Sequence, residues 1–377
     1  MEKRDDYEYL NRILKKIPKT SEYARLQCEK KWDRLAKPIH SLGAFEDMIS
    51  RIGGIRGNTG MNLDNRVLLV FCSDNGVVSE GVSQSSNEVT AKVAMSLAKG
   101  MSTVCNLVKG NNIKVVAVDM GIKDKKELCL EKDLNKILKG KKRILDRSIS
   151  AGTQNIAEGP SMKREDCIKA IVSAIDIIGE LKKYGCKIVL TGEMGIGNTT
   201  TSSAIASVLL DLDPALVTGR GAGLDDEGYK RKIEVIKRAI KINEPKASNP
   251  IDVITKIGGY DIAALCGTFI GCAYYRLPVI IDGFISSVAA LLAVKLKEES
   301  RYVMIASHMS KEPACKMIFE ALDLSPVIDA GMHLGEGSGA VMLLSLLDNA
   351  INVYNSGHSF RRLGIEPYEK ENRADKC

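Results

Sequence analysis

Three glycine-rich segments place polar or charged residues where they could touch a small anionic ligand. They read GEMGIGNTTT (residues 192–201), GRGAGLDDE (residues 219–227) and GEGSG (residues 335–339). The first follows an apolar run and precedes a hydroxyl-rich stretch, an arrangement that presents backbone N–H groups to a phosphate. The second precedes a helix that carries Lys230, Arg231 and Lys232. Positive side chains are unfavourable near the positive end of a helix dipole, so a nearby anion would explain why these three residues stand there. A solvated basic face explains Lys230 and Arg231 equally well.

The third segment offers a candidate proton acceptor. Glu336 stands between two glycines with no cation beside it in the sequence. Its carboxylate could therefore approach a substrate closely and act as a general base. The alternative is a structural acid at the start of the following helix, where the helix dipole favours negative charge. For residues 192–201 the alternative is a set of glycines that serves only a tight turn.

Two other enzyme classes have partial signatures in the sequence. Residues 192–199 have the glycine and threonine spacing of a P-loop, and Asp282 could hold magnesium, but Asn198 stands where an NTPase needs lysine. Ser307 and His308 could form a nucleophile pair, yet no G-x-S-x-G segment accompanies them. Both classes are therefore disfavoured.

Alternating strands and helices must position these loops. Strands are predicted at 66–72, 113–119, 187–191, 279–282 and 302–306, and helices at 87–107, 164–183, 199–210, 226–242, 261–275, 286–296, 312–322 and 338–354. This alternation predicts an α/β fold with a doubly wound, mostly parallel sheet, whose ligands bind beyond the carboxyl ends of the strands. The polar, helical start predicts a small helical domain that the C-terminal helix completes. The expected division is 1–60, 61–337 and 338–377.

Composition narrows the function classes. The chain has 377 residues, a net charge of +7 and 5% aromatic residues, which disfavours a nucleic-acid partner. The longest apolar run, residues 285–294, is too short to span a bilayer, so no membrane partner is expected. Ten scattered cysteines without a C-x-x-C pair predict reduced thiols and no metal site. With a charged start, these features predict a cytoplasmic protein.

The sequence resembles the nicotinate-nucleotide–dimethylbenzimidazole phosphoribosyltransferases of cobamide synthesis. The matching segments, in the family's order, are EGVSQSSNEVTAKV, NIAEGPSM, TGEMGIGNTTTSSA, GRGAGLDDEGYKRKIEVI, LPVIIDGFISSVAALLA, SHMSKEP and GMHLGEGSGA. The resemblance implies transfer of 5-phosphoribosyl from nicotinate mononucleotide to 5,6-dimethylbenzimidazole, with inversion, and with no metal or other cofactor. It also implies a Rossmann-like α/β domain, a small helical domain from both chain ends, and a homodimer.

The resemblance also implies a role for each matching site residue. Glu336 would be the general base, and Glu193 the second active-site glutamate, which orients base or sugar. The remaining implied positions are the phosphate and ribose site at Gly195, Asn198, Gly221, Lys232 and Ser310, and the base pocket at Ser85 and Leu334.

The sequence departs from the family's pattern on the acceptor side. Asn75 replaces the usual histidine, Ser86 replaces a common proline, Val93 stands where some members have glutamine, and Ile39-His40 replaces Pro-Gly. Adenine, another benzimidazole or a phenol therefore stays open as the acceptor, the last in a two-subunit enzyme that would be a heterodimer with a paralogous subunit. A non-catalytic nucleotide-binding regulatory subunit is the alternative of another class, which retention of both Glu193 and Glu336 disfavours.

Overall fold

The computed structural model describes residues 4–368, which fall into two compact units. The first comprises residues 4–18 and 64–343, and the second comprises residues 19–63 and 344–368. The helices are α1 (Asp6–Lys15), α2 (Glu22–Asp33), α3 (Ala44–Arg56), α4 (Glu88–Lys99), α5 (Thr103–Leu107), α6 (Leu134–Leu138), α7 (Arg164–Tyr184), α8 (Asn198–Leu210), α9 (Pro214–Val217), α10 (Asp226–Asn243), α11 (Pro250–Ile257), α12 (Tyr260–Tyr275), α13 (Phe284–Leu296), α14 (Ala314–Leu322), α15 (Ser338–Asn355) and α16 (Phe360–Leu363), with 3-10 turns at Gly76–Glu80 and Glu298–Val303.

The first unit is built on one parallel sheet. Its strands are β1 (Arg66–Ser73), β2 (Ile113–Gly121), β3 (Leu130–Glu131), β4 (Ile144–Asp146), β5 (Ile188–Met194), β6 (Val279–Ile281) and β7 (Met304–Ala306). Their order in the sheet is β3-β4-β2-β1-β5-β6-β7, and every pairing is parallel. The predicted doubly wound α/β fold is confirmed. The strand order reverses between β1 and β5, which is where such sheets bind ligands.

Helices bury both faces of the sheet. All eight residues of β1 are buried, as expected for a continuous apolar run at the centre of a parallel sheet. The longest helix, α7, packs against α12, and glycine permits the approach because a Cβ at Gly267 would lie 2.2 Å from the Ile171 carbonyl oxygen. None of the described helices is long and apolar enough to cross a membrane.

Three local features differ from the sequence predictions. The helix expected over residues 87–107 breaks at Gly100, whose φ of 76° ends α4 in the left-handed region. The short strands β3 and β4, at one side of the sheet, were not predicted. The first helix, α1, belongs to the first unit rather than to the small helical domain: Leu10 and Ile13 are buried, and Arg4 forms an ion pair with Asp176 of α7 at 2.8 Å.

The second unit is helical and contains an aromatic pair between its N-terminal and C-terminal parts. Helices α2 and α3 pack together through Gly53, where a Cβ would lie 2.3 Å from Cys28 Sγ. The Trp32 and Tyr354 rings meet edge to face with centroids 5.0 Å apart. Tyr354 lies on the part of α15 that belongs to this unit.

Candidate active site

A cleft opens at the carboxyl ends of β1 and β5, where the strand order reverses. Its lining comes from six segments of the chain: residues 82–84 after β1, residues 193–199 after β5, and residues within 221–224, 282–286, 308–312 and 333–336. It brings together seven of the nine predicted site residues, which are Glu193, Gly195, Asn198, Gly221, Ser310, Leu334 and Glu336. The three glycine segments, far apart in sequence, therefore form one site.

Glu193 lies at the end of β5 with its carboxyl group buried. The Asn198 side-chain nitrogen donates to Glu193 Oε2 and, at 3.0 Å, to Asp261 Oδ2. Burial, and then the charge of Asp261, raises the pKa of Glu193 to about 8. At neutral pH this carboxyl group is therefore mostly protonated. The Asn198 amide serves two carboxyl groups, which fixes the direction of its donors.

Asp261 is a site residue that the sequence reasoning missed. It lies in the first turn of α12, and no part of its side chain is exposed. Burial raises its pKa to about 6. Its carboxylate packs against two glycines, where any side chain would clash with it. A Cβ at Gly195 would lie 2.8 Å from Asp261 Oδ2, and a Cβ at Gly259 would lie 2.4 Å from Oδ1. The only sequence signal for it was an acid that follows two glycines at a helix start.

The loop that carries Glu336 has a left-handed backbone. The φ angles of Gly335, Glu336 and Gly337 are 84°, 59° and 88°. Glycine adopts this region without strain, so the glycines on either side allow the turn that sets Glu336 into the cleft. Glu336 itself has a conformation that non-glycine residues rarely adopt. The Val104 N–H donates to Glu336 Oε2 at 3.3 Å. A Cβ at Gly335 would lie 2.8 Å from Glu193 Oε1, so the loop that carries Glu336 lies against the Glu193 carboxyl group, and both glutamates line the cleft.

Asp282 anchors the loop that carries Glu336 through backbone hydrogen bonds. Its carboxylate accepts the backbone N–H groups of Gly337 at 3.2 Å, Gly339 at 2.7 Å and Ala340 at 3.2 Å, at the start of α15. Burial raises its pKa to about 7 although these N–H groups favour the charged form. The described residues contain no cluster of three or more His, Cys, Asp or Glu side chains suited to a metal ion.

Lys232 is buried beneath the cleft. No part of it is exposed, and its Nζ donates to Thr199 Oγ1 at 2.8 Å. Burial lowers its pKa to about 8. Within residues 4–368 its ammonium group forms no ion pair, and it lies next to Gly221, where a Cβ would be 3.3 Å from Nζ. Lys230 is exposed, as the alternative of a solvated basic face predicts, whereas the buried Lys232 does not fit that alternative.

The remaining predicted residues lie on either side of this arrangement. Ser310 is buried and its Oγ faces the backbone N–H of Glu312 at 3.5 Å. Glu312 itself accepts the N–H of Gly221 at 3.1 Å. Leu334 is half exposed at the rim. The neighbouring residues 82–84 line the cleft and Ser85 does not; its backbone N–H donates to Ser83 Oγ at 3.2 Å.

Known proteins are similar to this chain in sequence and in fold. A family model described as phosphoribosyltransferase matches residues 17–365. A nicotinate-nucleotide–dimethylbenzimidazole phosphoribosyltransferase of Ruminiclostridium cellulolyticum is 46% identical over 343 residues, covering 91% of this chain and 94% of that protein. The protein of the same name from Acetivibrio thermocellus is 42% identical over 343 residues, with the same coverage.

A solved structure agrees with the sequence matches. The crystal structure of the nicotinate-nucleotide–dimethylbenzimidazole phosphoribosyltransferase from Thermus thermophilus is similar with a TM-score of 0.82 and 29% identity, covering 92% of this chain and 99% of that chain. The chain belongs to the nicotinate-nucleotide–dimethylbenzimidazole phosphoribosyltransferase family.

Proposed function

We propose that this protein transfers the 5-phosphoribosyl group of nicotinate mononucleotide to a nitrogen of 5,6-dimethylbenzimidazole. The products are α-ribazole 5′-phosphate, for the nucleotide loop of a cobamide, and nicotinate. Family membership supports the donor and the reaction type. The observation that carries the proposal is the meeting of Glu193 and the Glu336 loop at one point of the cleft where the sheet order reverses.

The phosphate end of the mononucleotide is proposed to lie near Lys232. The buried ammonium group donates to one hydroxyl, and the charge of Glu312, which favours the charged form, does not offset the cost of burial. A phosphate would supply the further negative charge. The N terminus of α8, with Gly195 and Gly221 beside it, adds the positive end of a helix dipole. Ser310 completes the proposed phosphate and ribose site. These groups would hold the anomeric carbon of the ribose toward the two glutamates.

The proton is proposed to leave through Glu336. One ring nitrogen of the base attacks the anomeric carbon from the face opposite nicotinate, which forms the new C–N bond and inverts the configuration. The glycosidic electron pair moves onto the pyridine nitrogen and neutralises its positive charge. The proton on the other ring nitrogen passes to the Glu336 carboxylate, which its bond from the Val104 N–H holds in place.

Glu193 is proposed to act as a neutral carboxyl group. Because its pKa is raised to about 8, it is protonated when Glu336 accepts the proton. A neutral Glu193 donates a hydrogen bond and adds no second negative charge beside the general base. Its bond from Asn198 orients it toward base or sugar. Leu334 and the turn that carries Ser85 are proposed to border the base.

The assembly is proposed to be a homodimer. Helix α15 exposes Met342, Leu346 and Val353, an apolar row at spacings of four and seven residues that a second copy could cover. We also propose that the protein acts in the cytoplasm, because the cysteines among the described residues form no disulfide and most of them are buried, as in proteins of reducing compartments.

One incubation tests the proposed reaction. The purified protein is mixed with nicotinate mononucleotide and, in separate samples, 5,6-dimethylbenzimidazole, benzimidazole, adenine, phenol or p-cresol, and products are identified by mass spectrometry. Nicotinate release with formation of α-ribazole phosphate is expected with dimethylbenzimidazole. Turnover with phenols or adenine alone would make Asn75 and Ser86 acceptor determinants. Binding of the mononucleotide without turnover of any acceptor would favour a partner subunit or a binding-only role.

A further inference from the structure

His308 lines the cleft, and the proposed reaction gives it no role. It follows β7, is 3% exposed, and its ring lies against Gly339 at the start of α15. Without a G-x-S-x-G turn, its contact with Ser307 does not make a nucleophile pair. The hydrogen bonds around the imidazole ring show what it can do instead.

These bonds define the tautomer of the ring. Ser307 Oγ has one hydrogen, and it donates this hydrogen to the Asp282 carbonyl oxygen at 2.8 Å. The contact of 3.1 Å between Ser307 Oγ and His308 Nδ1 therefore requires Nδ1–H to donate to the serine oxygen. Burial lowers the pKa of His308 to about 4, so the ring is neutral at pH 7. Nε2 then carries a lone pair and no hydrogen.

The cleft leaves room beside this lone pair. Among residues 4–368, no group donates a hydrogen bond to His308 Nε2. A Cβ at Gly283 would lie 3.2 Å from Nε2, so glycine at this position keeps the space next to the nitrogen open. A Cβ at Gly283 would also lie 3.6 Å from Ser310 Cβ. His308 Nε2 and Ser310 are therefore neighbours, on the side of the cleft that holds the proposed phosphate and ribose site.

Ligand chemistry identifies the group that can fill this space. At neutral pH the phosphate, the carboxylate and the pyridinium ring of nicotinate mononucleotide carry no strong hydrogen-bond donor. Its donors are the 2′- and 3′-hydroxyl groups of the ribose. The single N–H of dimethylbenzimidazole is already assigned to Glu336. An acceptor such as Nε2 can therefore pair with a ribose hydroxyl.

We propose that Nε2 of His308 accepts a hydrogen bond from a ribose hydroxyl of the mononucleotide. This inference rests on the proposed function and adds a substrate-positioning residue to it. The bond selects donors that carry the intact ribose and holds the anomeric carbon for attack. Ser307 acts through His308, because it fixes the tautomer that turns an acceptor rather than a donor toward the sugar.

Deoxy analogues of the donor test the proposal. The values of kcat/KM are measured for nicotinate mononucleotide and for its 2′-deoxy and 3′-deoxy forms, with wild type, His308→Phe and His308→Gln. For wild type, we expect one deoxy donor to lose roughly tenfold. The His308→Phe protein should lose roughly tenfold on the full donor and should no longer distinguish it from that analogue. Glutamine, which can place an oxygen near the Nε2 position, should restore part of the discrimination. The matched control is His358→Phe, an exposed histidine outside the cleft lining, which should behave as wild type.

The results distinguish failure of the inference about His308 from failure of the proposed function. If wild type uses all three donors equally, or if His308→Phe keeps the discrimination of wild type, the inference is overturned while the proposed function stands. If wild type releases no nicotinate from the full donor, the proposed function fails and the inference fails with it. Should His308→Phe not fold, the wild-type comparison and His308→Gln decide the matter, because the analogues remove the bond from the ligand side.

Discussion

Replacing Lys232 with methionine removes a buried positive charge and keeps most of the side-chain volume. Lys232 is fully buried, and its pKa is lowered from 10.5 to about 8. A difference of this size corresponds to about 3 kcal/mol by which burial disfavours the charged form at neutral pH. The lost bond to Thr199 costs about 1 kcal/mol. We therefore expect Lys232→Met to raise the free energy of unfolding by roughly 2 kcal/mol at pH 7.

The same variant should lose activity, because the charge that destabilises the empty protein is the one proposed to bind phosphate. We expect kcat/KM for the mononucleotide to fall between about 10- and 100-fold, as for the loss of a charge-assisted hydrogen bond. Denaturant titration and steady-state kinetics measure the two effects. Lys230→Met, which changes an exposed lysine of the same helix, should alter neither.

The stability of wild type relative to Lys232→Met should depend on pH. Since the folded pKa of Lys232 lies below the unfolded value, the penalty is complete below pH 8 and disappears as the pH rises toward 10.5. The stability advantage of Lys232→Met should therefore shrink between pH 8 and 10. A variant that is no more stable than wild type at pH 7, or that keeps full kcat/KM, would refute the proposed role of Lys232 as a buried phosphate anchor.

Three further predictions concern single residues. Glu336→Gln should lower kcat by about 100-fold or more while a binding titration shows unchanged affinity for the mononucleotide; lost affinity at unchanged kcat would contradict its role as base. Because the pKa of Glu193 is raised from 4.5 to about 8, its contribution to stability falls as the pH rises through this range, so Glu193→Gln should flatten the stability profile between pH 5 and 8 in denaturant titrations; an unchanged slope would contradict the protonated state. His40 has a φ of 58°, so His40→Gly should raise the free energy of unfolding by about 1 kcal/mol, and a lower midpoint of thermal unfolding would argue against backbone strain there.

The sheet and its loops could be predicted because strong local patterns encode them. The apolar run at residues 66–72 predicted β1, and the glycine segments after β5 and before α10 and α15 lie at the predicted sheet edge. The strands β3 and β4 were missed since two or three residues carry no usable periodicity. The position of α1 depends on tertiary contacts such as Arg4 with Asp176, which spacing along the chain does not reveal.

The burial and the pKa values of the site residues could be predicted only in part from the sequence of each loop. The burial of Lys232 had a signal, because it shares one face of α10 with Val235, Ile236 and Ala239, all of them buried. Asp261 and His308 had no comparable signal. Their environments arise where chain segments far apart in the sequence meet, and so their raised or lowered pKa values follow from the fold rather than from neighbouring residues.

The anomeric configuration of the product shows whether dimethylbenzimidazole attacks the ribose from the face opposite nicotinate. The protein is incubated with nicotinate mononucleotide and dimethylbenzimidazole, and NMR follows the proton on the anomeric carbon while released nicotinate is quantified. Attack from the face opposite nicotinate, with Glu336 as the base, predicts the α product alone and one nicotinate for each α-ribazole phosphate. A β product, a mixture of anomers, or nicotinate release in the absence of dimethylbenzimidazole would contradict this mechanism.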